Sequence, residues 1–285
     1  MFKLTIKQFL FTRLAIIISL AIVILPLMWI FFLSLKRPNE LFQSILFFFP
    51  KHITFMNYPA AINFSKDALS ISFVRMYLNS TIATSGGLII SILAASFAAF
   101  SMVHYKFKFK EIYYTFILVC QMLPVQLLLI PLYIVLWRMR FLNTYAALIF
   151  PYATIGIPVA TIVLRRFFEQ IPLEIVDSAK IDGASDFQIY KNLYLPLATP
   201  ALATAIIFLF LQMWNEFLFA LVFINSDNLQ TLPLALSKLS FGGKEPVPLN
   251  VYTAMIVISV IPILIIFMIF QKWMVRGLVE GSIKG

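Results

Sequence analysis

The sequence predicts an all-α, polytopic membrane protein with six transmembrane helices. The bulk composition is the first reason. Of 285 residues, 61% are hydrophobic and only 12% charged, with mean hydropathy +0.94. An average soluble domain carries about 25% charged residues, and in water this chain would expose large apolar patches. Six uncharged runs are the second reason. Residues 14–35, 76–103, 112–137, 141–164, 192–215 and 246–271 hold no Asp, Glu, Lys, Arg or His, and each has 22 residues or more. A spanning helix needs roughly 20, and helices satisfy the backbone within the segment, as hydrocarbon requires. The third reason is an exception: one patterned polar segment, EIVDSAKIDGASDFQIYKNLYLP, Glu174 to Pro196, lies between apolar runs.

The first span, 14–35, follows Lys3, Lys7 and Arg13. Those residues resemble a signal-peptide n-region, but the apolar stretch is too long for an h-region and no A-x-A site follows, so a retained anchor is expected. The outer loop 36–75 holds Pro38, Pro50 and Pro59 and the cluster Phe47, Phe48, Phe49. It is suited to rest on the membrane interface or to receive a partner. The second span, 76–103, carries Asn79 near its start and the pair Gly86-Gly87, which allows close helix packing. A loop with Lys106, Lys108 and Lys110 leads to the third span, 112–137, which holds Cys120, Gln121 and Gln126. A lone cysteine forms no intrachain disulfide and has no metal-ligand spacing; it reads as a small buried hydrophobe.

The fourth span is 146–164 and the fifth 197–224, uncharged but for Glu216. An outer loop, 225–250, with Gly242, Gly243, Pro246 and Pro248, leads to the sixth span, 251–271. Together 1–285 form a single transmembrane domain with no soluble domain, no low-complexity segment and no convincing internal repeat. His52 and His104 read as isolated loop histidines.

Loop charge sets the expected orientation. With both termini inside, segments 1–13, 104–111, 165–196 and 272–285 hold 13 Lys and Arg, against 9 in the remainder. Arg138 and Arg140 go against the trend. The formal net charge of +10 is thus a topology signal. Nucleic acid as a partner is excluded, since no basic water-soluble face is available to bind it.

The polar segment is readable in detail. Pro172 suits the first turn of a helix, and Glu174 and Asp177 then fall where the helix dipole favours negative charge. Val176, Ala179 and Leu173 share one face; Glu174, Asp177 and Lys180 share another. Gly183 is expected to close the helix in a left-handed cap. Ser185 and Gln188 have capping-box spacing for a second helix, carrying Phe187, Ile189, Tyr190 and Leu193 up to Pro196. A helix of about ten residues is marginal alone. Membrane-surface helices want Lys and Arg on their polar face; this one is mainly acidic, which points to a protein partner.

The same residues resemble the EAA loop of ATP-binding-cassette (ABC) importer permeases. Asp177-Ser178-Ala179 stands for Glu-Ala-Ala, followed by Ile181-Asp182-Gly183-Ala184 and by Leu193-Tyr194-Leu195-Pro196. Asn79-Ser80, Leu123-Pro124, Pro131-Leu132-Tyr133, Leu142-Asn143-Thr144-Tyr145-Ala146, Phe167-Phe168, Ile171-Pro172, Trp214-Asn215-Glu216-Phe217 and Thr231-Leu232-Pro233 look like the carbohydrate-uptake branch. The chain is similar to its smaller, maltose-type permease, a binding-protein-dependent inner-membrane component. The resemblance implies an ABC type I importer permease fold with a cytoplasmic coupling helix, in the plasma membrane of a prokaryote. It implies partners: a second, homologous permease, two ATP-hydrolysing subunits, an extracytoplasmic solute-binding protein and the bilayer. It assigns coupling to Glu174, Asp177, Ser178, Ala179, Ile181, Asp182, Gly183, Ala184 and Pro196.

No G-x-x-x-x-G-K-[ST] loop occurs in the chain, so no cofactor is expected here; ATP and magnesium belong to the partner ATPase. Candidates for a substrate path are Trp214, Asn215, Glu216, Asn79 and Gln121. An intramembrane carboxylate is functional or paired by default, and Glu216 has the alternatives of reaching the outer interface or bonding a neighbouring helix. The amides bind sugar hydroxyls or pin helices together, and Trp214 stacks on a sugar or belongs to the aromatic belt. The leading function is import of a sugar or oligosaccharide. A glycerophosphate or polyamine permease is the alternative within the class, although a phosphate favours Arg or Lys in the path and no span holds either. An ion-coupled secondary transporter needs intramembrane ionisable groups, and only Glu216 qualifies. Inverted repeats, common in such transporters, are not apparent in the sequence. A membrane-embedded enzyme lacks a His/Asp/Glu cluster within a span.

Overall fold

The computed structural model describes residues 6–43, 48–69, 71–241 and 247–282, and these are helical with no strand among them. Lys3, Phe47, Gly242, Gly243 and Pro246 lie outside the described residues. In chain order the helices are α1 Ile6–Ser34, α2 Pro38–Gln43, α3 Asn57–Leu69, α4 Phe73–His104, α5 Lys110–Met122, α6 Leu129–Arg138, α7 Ala146–Phe168, α8 Leu173–Ile181, α9 Asp186–Ile189, α10 Leu195–Leu197, α11 Thr199–Trp214, α12 Leu218–Phe223, α13 Leu232–Phe241 and α14 Leu249–Ser282.

Four of them, α1, α4, α7 and α14, are long and apolar enough to cross a bilayer unaided. The other two expected spans are bent. Val125–Arg138 turns 97° from α5, and Thr199–Trp214 turns 73° from Asp186–Leu197. Each bent pair counted as one gives six. The first bend has a local cause. Leu123 is extended (ψ 126°), as a residue before proline tends to be, and Pro124 at ψ 128° continues the extension. The fifth run is not one helix to Ile224, as its composition suggested: α11 stops at Trp214, and α12 restarts at Leu218.

The chain divides into two compact units. One comprises residues 1–73 with 238–261. Within it the described residues that follow α1, 36–43 and 48–58, are held by polar clamps. The Asn57 side-chain amide donates to the carbonyls of Ser34 and Lys36 at 2.7 and 2.8 Å. Asn250 in turn donates to Asn57 Oδ1 at 2.7 Å. The Glu40 carboxylate accepts the backbone N–H groups of Lys51 and His52, both at 3.0 Å. Phe48 and Phe49 pack against Phe32.

The second unit comprises 74–237 with 262–285. Its core is α4, α7 and α11, with α12 against α7 and with Phe219 and Phe223 fully buried. α4 and α7 approach closely at the glycine pair: a Cβ on Gly87 would come 2.6 Å from Tyr152 Cβ. At the far end of α7, Arg165 is buried. Its Nε donates to Glu169 at 2.8 Å and its Nη2 to Glu111 at 3.0 Å, and the guanidinium lies 3.7 Å over the Tyr114 ring. This joins the start of α5 to the end of α7, immediately before the polar segment. Cys120 is half-buried, since none of the residues of α5 is fully buried; the expectation of a buried cysteine does not hold.

Candidate coupling segment and transport path

α8 is anchored by one side. Val176 is 3% exposed and joins the core, with Ala179 packed beside it. At 100° per residue, Glu174, Asp177, Ser178 and Ile181 fall on the opposite side, and all four are exposed. Ile181 keeps 86% of its surface open. Leu173, grouped with the inner face on the sequence, is 66% exposed: at 100° per residue it stands about 60° round the helix from Val176, on the side away from Ala179. Pro172 is the N-cap rather than the first helical residue.

Gly183 closes the helix at φ +82°. Its N–H bonds Lys180 O and the Ala184 N–H bonds Ala179 O, both at 3.0 Å, the paired bonds of a Schellman cap. Nothing lies within 4 Å of where a Cβ would stand, so glycine is required by backbone conformation and not by space. The capping box forms as its spacing suggests: the Ser185 hydroxyl accepts from Gln188 N–H, and the Gln188 side chain accepts from Ser185 N–H. Asp182, Gly183, Gln188 and Asn192 border an open groove of about 400 Å³ between the two helices.

The second helix opens into a π-turn over Tyr190–Tyr194 before α10. Pro196 lacks the N–H that a regular α ladder would need, and wide turns of this kind recur at functional sites. Two tyrosines lock it to the bundle. The Tyr190 hydroxyl shares a 2.7 Å bond with Ser96, and Tyr194, 1% exposed, packs edge-on to Phe100 and Phe168. Asp186 completes the lock. It bonds His104 Nε2 at 2.9 Å and accepts from the Tyr105 hydroxyl at 2.8 Å. The His104 bond, and then the Tyr105 bond, hold the Asp186 carboxyl below its usual range, and the same carboxylate pushes the Tyr105 hydroxyl up. His104 is therefore not an isolated loop histidine: its side chain is 2% exposed and stacks on Phe100. Its partner stands 82 residues away, beyond any local pattern.

The residues named for a substrate path separate into different roles. Asn79 is fully buried; its amide donates to the carbonyls of Asn228 and Gln230, both at 2.9 Å, and its oxygen accepts from Tyr145 at 2.6 Å. Trp214, 3% exposed, stacks on Phe210 and meets Tyr77 edge-on. Asn215 is exposed, ends α11, and donates to Leu211 O at 2.8 Å. Gln121 is exposed at the end of α5. Glu216 receives Phe219 N–H at 2.7 Å, Ala220 N–H at 3.4 Å and the Tyr152 hydroxyl at 3.1 Å, so it caps α12 in the break of the span. A cavity of about 60 Å³ sits against it, lined also by Val125, Ile155, Gln212 and Met213. It has room for a water or a hydroxyl group. Of the sequence candidates only Glu216 borders it. Gln212 stands one helical turn before Glu216, a spacing that could have flagged it; Tyr152 and Arg165 gave no local signal. Among the described residues no three His, Cys, Asp or Glu side chains come together to hold a metal.

Residues 87–280 match the family described as binding-protein-dependent transport system inner membrane component. The chain is 33% identical to the sulfoquinovosyl glycerol transport system permease protein SmoH of Agrobacterium fabrum, over 91% of this chain and 88% of that one. It is 31% identical to the trehalose transport system permease protein SugB of Mycobacterium tuberculosis, over 92% and 93%. In fold it resembles a chain of a bacterial ABC transporter involved in the import of the acidic polysaccharide alginate. The TM-score there is 0.82 at 22% identity, covering 95% of this chain and 99% of that one.

Proposed function

Since the chain belongs to the family of binding-protein-dependent transport system inner membrane components, we propose that it moves a sugar or oligosaccharide through an ABC importer and is driven through α8. It is a transport subunit and not an enzyme. The observation that carries the coupling role is the two-sidedness of α8. Val176 and Ala179 fasten it to the bundle, and Glu174, Asp177, Ser178 and Ile181 stand open on the other side. A partner ATPase that binds those four residues pulls on a lever whose far end is keyed into the core by Tyr190, Tyr194 and Asp186. A sugar cargo is supported by the transport systems of SmoH and SugB.

The assembly proposed is this chain, a homologous second permease, two ATPases that bind ATP and magnesium, and a solute-binding protein. Both termini face the cytoplasm, on the strength of the Lys and Arg distribution. The cavity beside Glu216 is too small for a sugar ring, so the path is completed with the second permease; Gln212 is the exposed amide that lines the cavity, and Asn215 is the exposed amide next to Glu216 in sequence. The test is uptake of labelled oligosaccharides into proteoliposomes of the assembled complex with its binding protein. Uptake that needs ATP on the ATPase side supports the reading; uptake driven by a proton or sodium gradient without ATP overturns it.

A further inference from the structure

The turn between α4 and α5 reads His104-Tyr105-Lys106-Phe107-Lys108-Phe109-Lys110. Lys106 and Lys108 are exposed and Lys110 is half-buried, while Phe107 and Phe109 keep 40% and 55% of their surface open. The acids near this turn are committed elsewhere. Asp186 is held by His104 and Tyr105, and Glu111 by Arg165. Among the described residues no carboxylate pairs with any of the three lysines; Lys108 instead lies 5.9 Å from the Phe109 ring. The turn is on the side of the polar segment, because its first two residues bond Asp186.

Lysines alone would be content in water. Two open phenyl rings interleaved with them are not, and their apolar surface continues into α5 through exposed Ile112, Tyr113 and Phe116. A row that alternates cation and ring, at the end of two apolar helices, matches a headgroup boundary: rings reach toward acyl chains and ammonium groups toward phosphates. We propose that the Tyr105–Lys110 turn is a docking surface for anionic phospholipid, with Phe107 and Phe109 in the boundary layer and Lys106, Lys108 and Lys110 on lipid phosphates. An acidic protein face would satisfy the lysines but not the continuity of Phe109 with the apolar flank of α5.

The test compares phosphatidylglycerol and phosphatidylcholine retained by the assembled transporter complex, read by native mass spectrometry. A lysine near an anionic surface contributes roughly fivefold in affinity. Lys106→Gln and Lys108→Gln should each weaken phosphatidylglycerol retention about fivefold, and the triple Gln variant on the order of 100-fold. Phosphatidylcholine retention should not change, the wild-type preference should fade at high salt, and a triple Lys→Arg variant should keep it. Equal retention of the two lipids by the wild type, or an unchanged preference in both single variants, overturns the proposal. So does loss of ATPase association with lipid retention intact, which would assign the turn to a protein.

Discussion

Glu216 shows how one side chain answers a problem that hydrocarbon poses. A break in a span frees backbone N–H groups, and each unpaired one costs about 1–3 kcal/mol when buried. The carboxylate takes two of them, from Phe219 and Ala220, and the Tyr152 hydroxyl as a third donor. Glu216→Ala should therefore lower the thermal midpoint of the detergent-solubilised complex, while Glu216→Gln, which keeps an acceptor, should lower it less. Asn215 differs, since its side chain bonds back to its own helix at Leu211 O. Asn215→Ala is expected to leave the midpoint and the basal ATPase rate unchanged and to reduce oligosaccharide uptake. Equal uptake in wild type and Asn215→Ala would remove it from the path. Asp186 is a third case. Its folded carboxyl is held below the usual range, so its stabilising contribution is full at neutral pH and fades only as pH falls below the ordinary carboxylate range. Asp186→Asn forfeits that contribution at neutral pH. Faster hydrogen exchange across 186–194 in the variant is the expected sign, and unchanged exchange there would show that the His104–Tyr105 lock is dispensable.

At the scale of elements, what was legible in the sequence is what local chemistry decides. The left-handed Gly183 and the Ser185–Gln188 box each involve residues within a few positions, and both form as the spacing indicates. Burial of Val176 opposite Asp177 follows from helical periodicity. The breaks after Met122 and Trp214 were hidden, because an apolar run looks alike whether its helix is straight or bent. Pro124 offered a hint; the Asn215–Phe217 break depends on Tyr152, 64 residues from Glu216. The π-turn was equally hidden, as it depends on Ser96 and Phe97 holding Tyr190. The coupling role proposed for α8 has its own test. A Cβ at Gly183 meets no neighbour, so Gly183→Ala should cost only the left-handed backbone penalty, about 1–2 kcal/mol, and Gly183→Val more through β-branching. The bundle is fastened elsewhere and should still assemble. Asp177→Lys reverses charge on the exposed face and should weaken the ATPase contact. Pull-down of the ATPase and solute-stimulated ATP hydrolysis should fall in Gly183→Val and Asp177→Lys. Full binding and full stimulation in both would show that the polar segment does not couple.

For the whole molecule, the distribution of bare surface predicts what the chain needs around it. α5 has no buried residue, and only 6% of the spanning window of α1 is buried. A polytopic protein that completed its own bundle would bury one stripe of each spanning helix. Lipid is apolar enough to cover such surface, so bareness alone does not require a partner. The polar features beside it do. Gln121 and Gln126 are exposed on the two arms of the 97° bend, and amides facing hydrocarbon without partners are costly. The second permease proposed above, with a bent span of its own, would give these amides donors and acceptors and would supply the other wall of a path that the cavity beside Glu216 is too small to provide. The chain expressed alone should therefore be short-lived and polydisperse in detergent, whereas co-expression with the sister permease and the ATPase should give one defined complex. Gln121→Leu with Gln126→Leu should improve the behaviour of the lone chain and impair the complex, because the substitution removes the cost in lipid and the bonds in the interface together. Size-exclusion chromatography with light scattering reads both. A monodisperse, transport-competent homo-oligomer of this chain alone would show that the bent spans are completed by a second copy and that no different permease is needed.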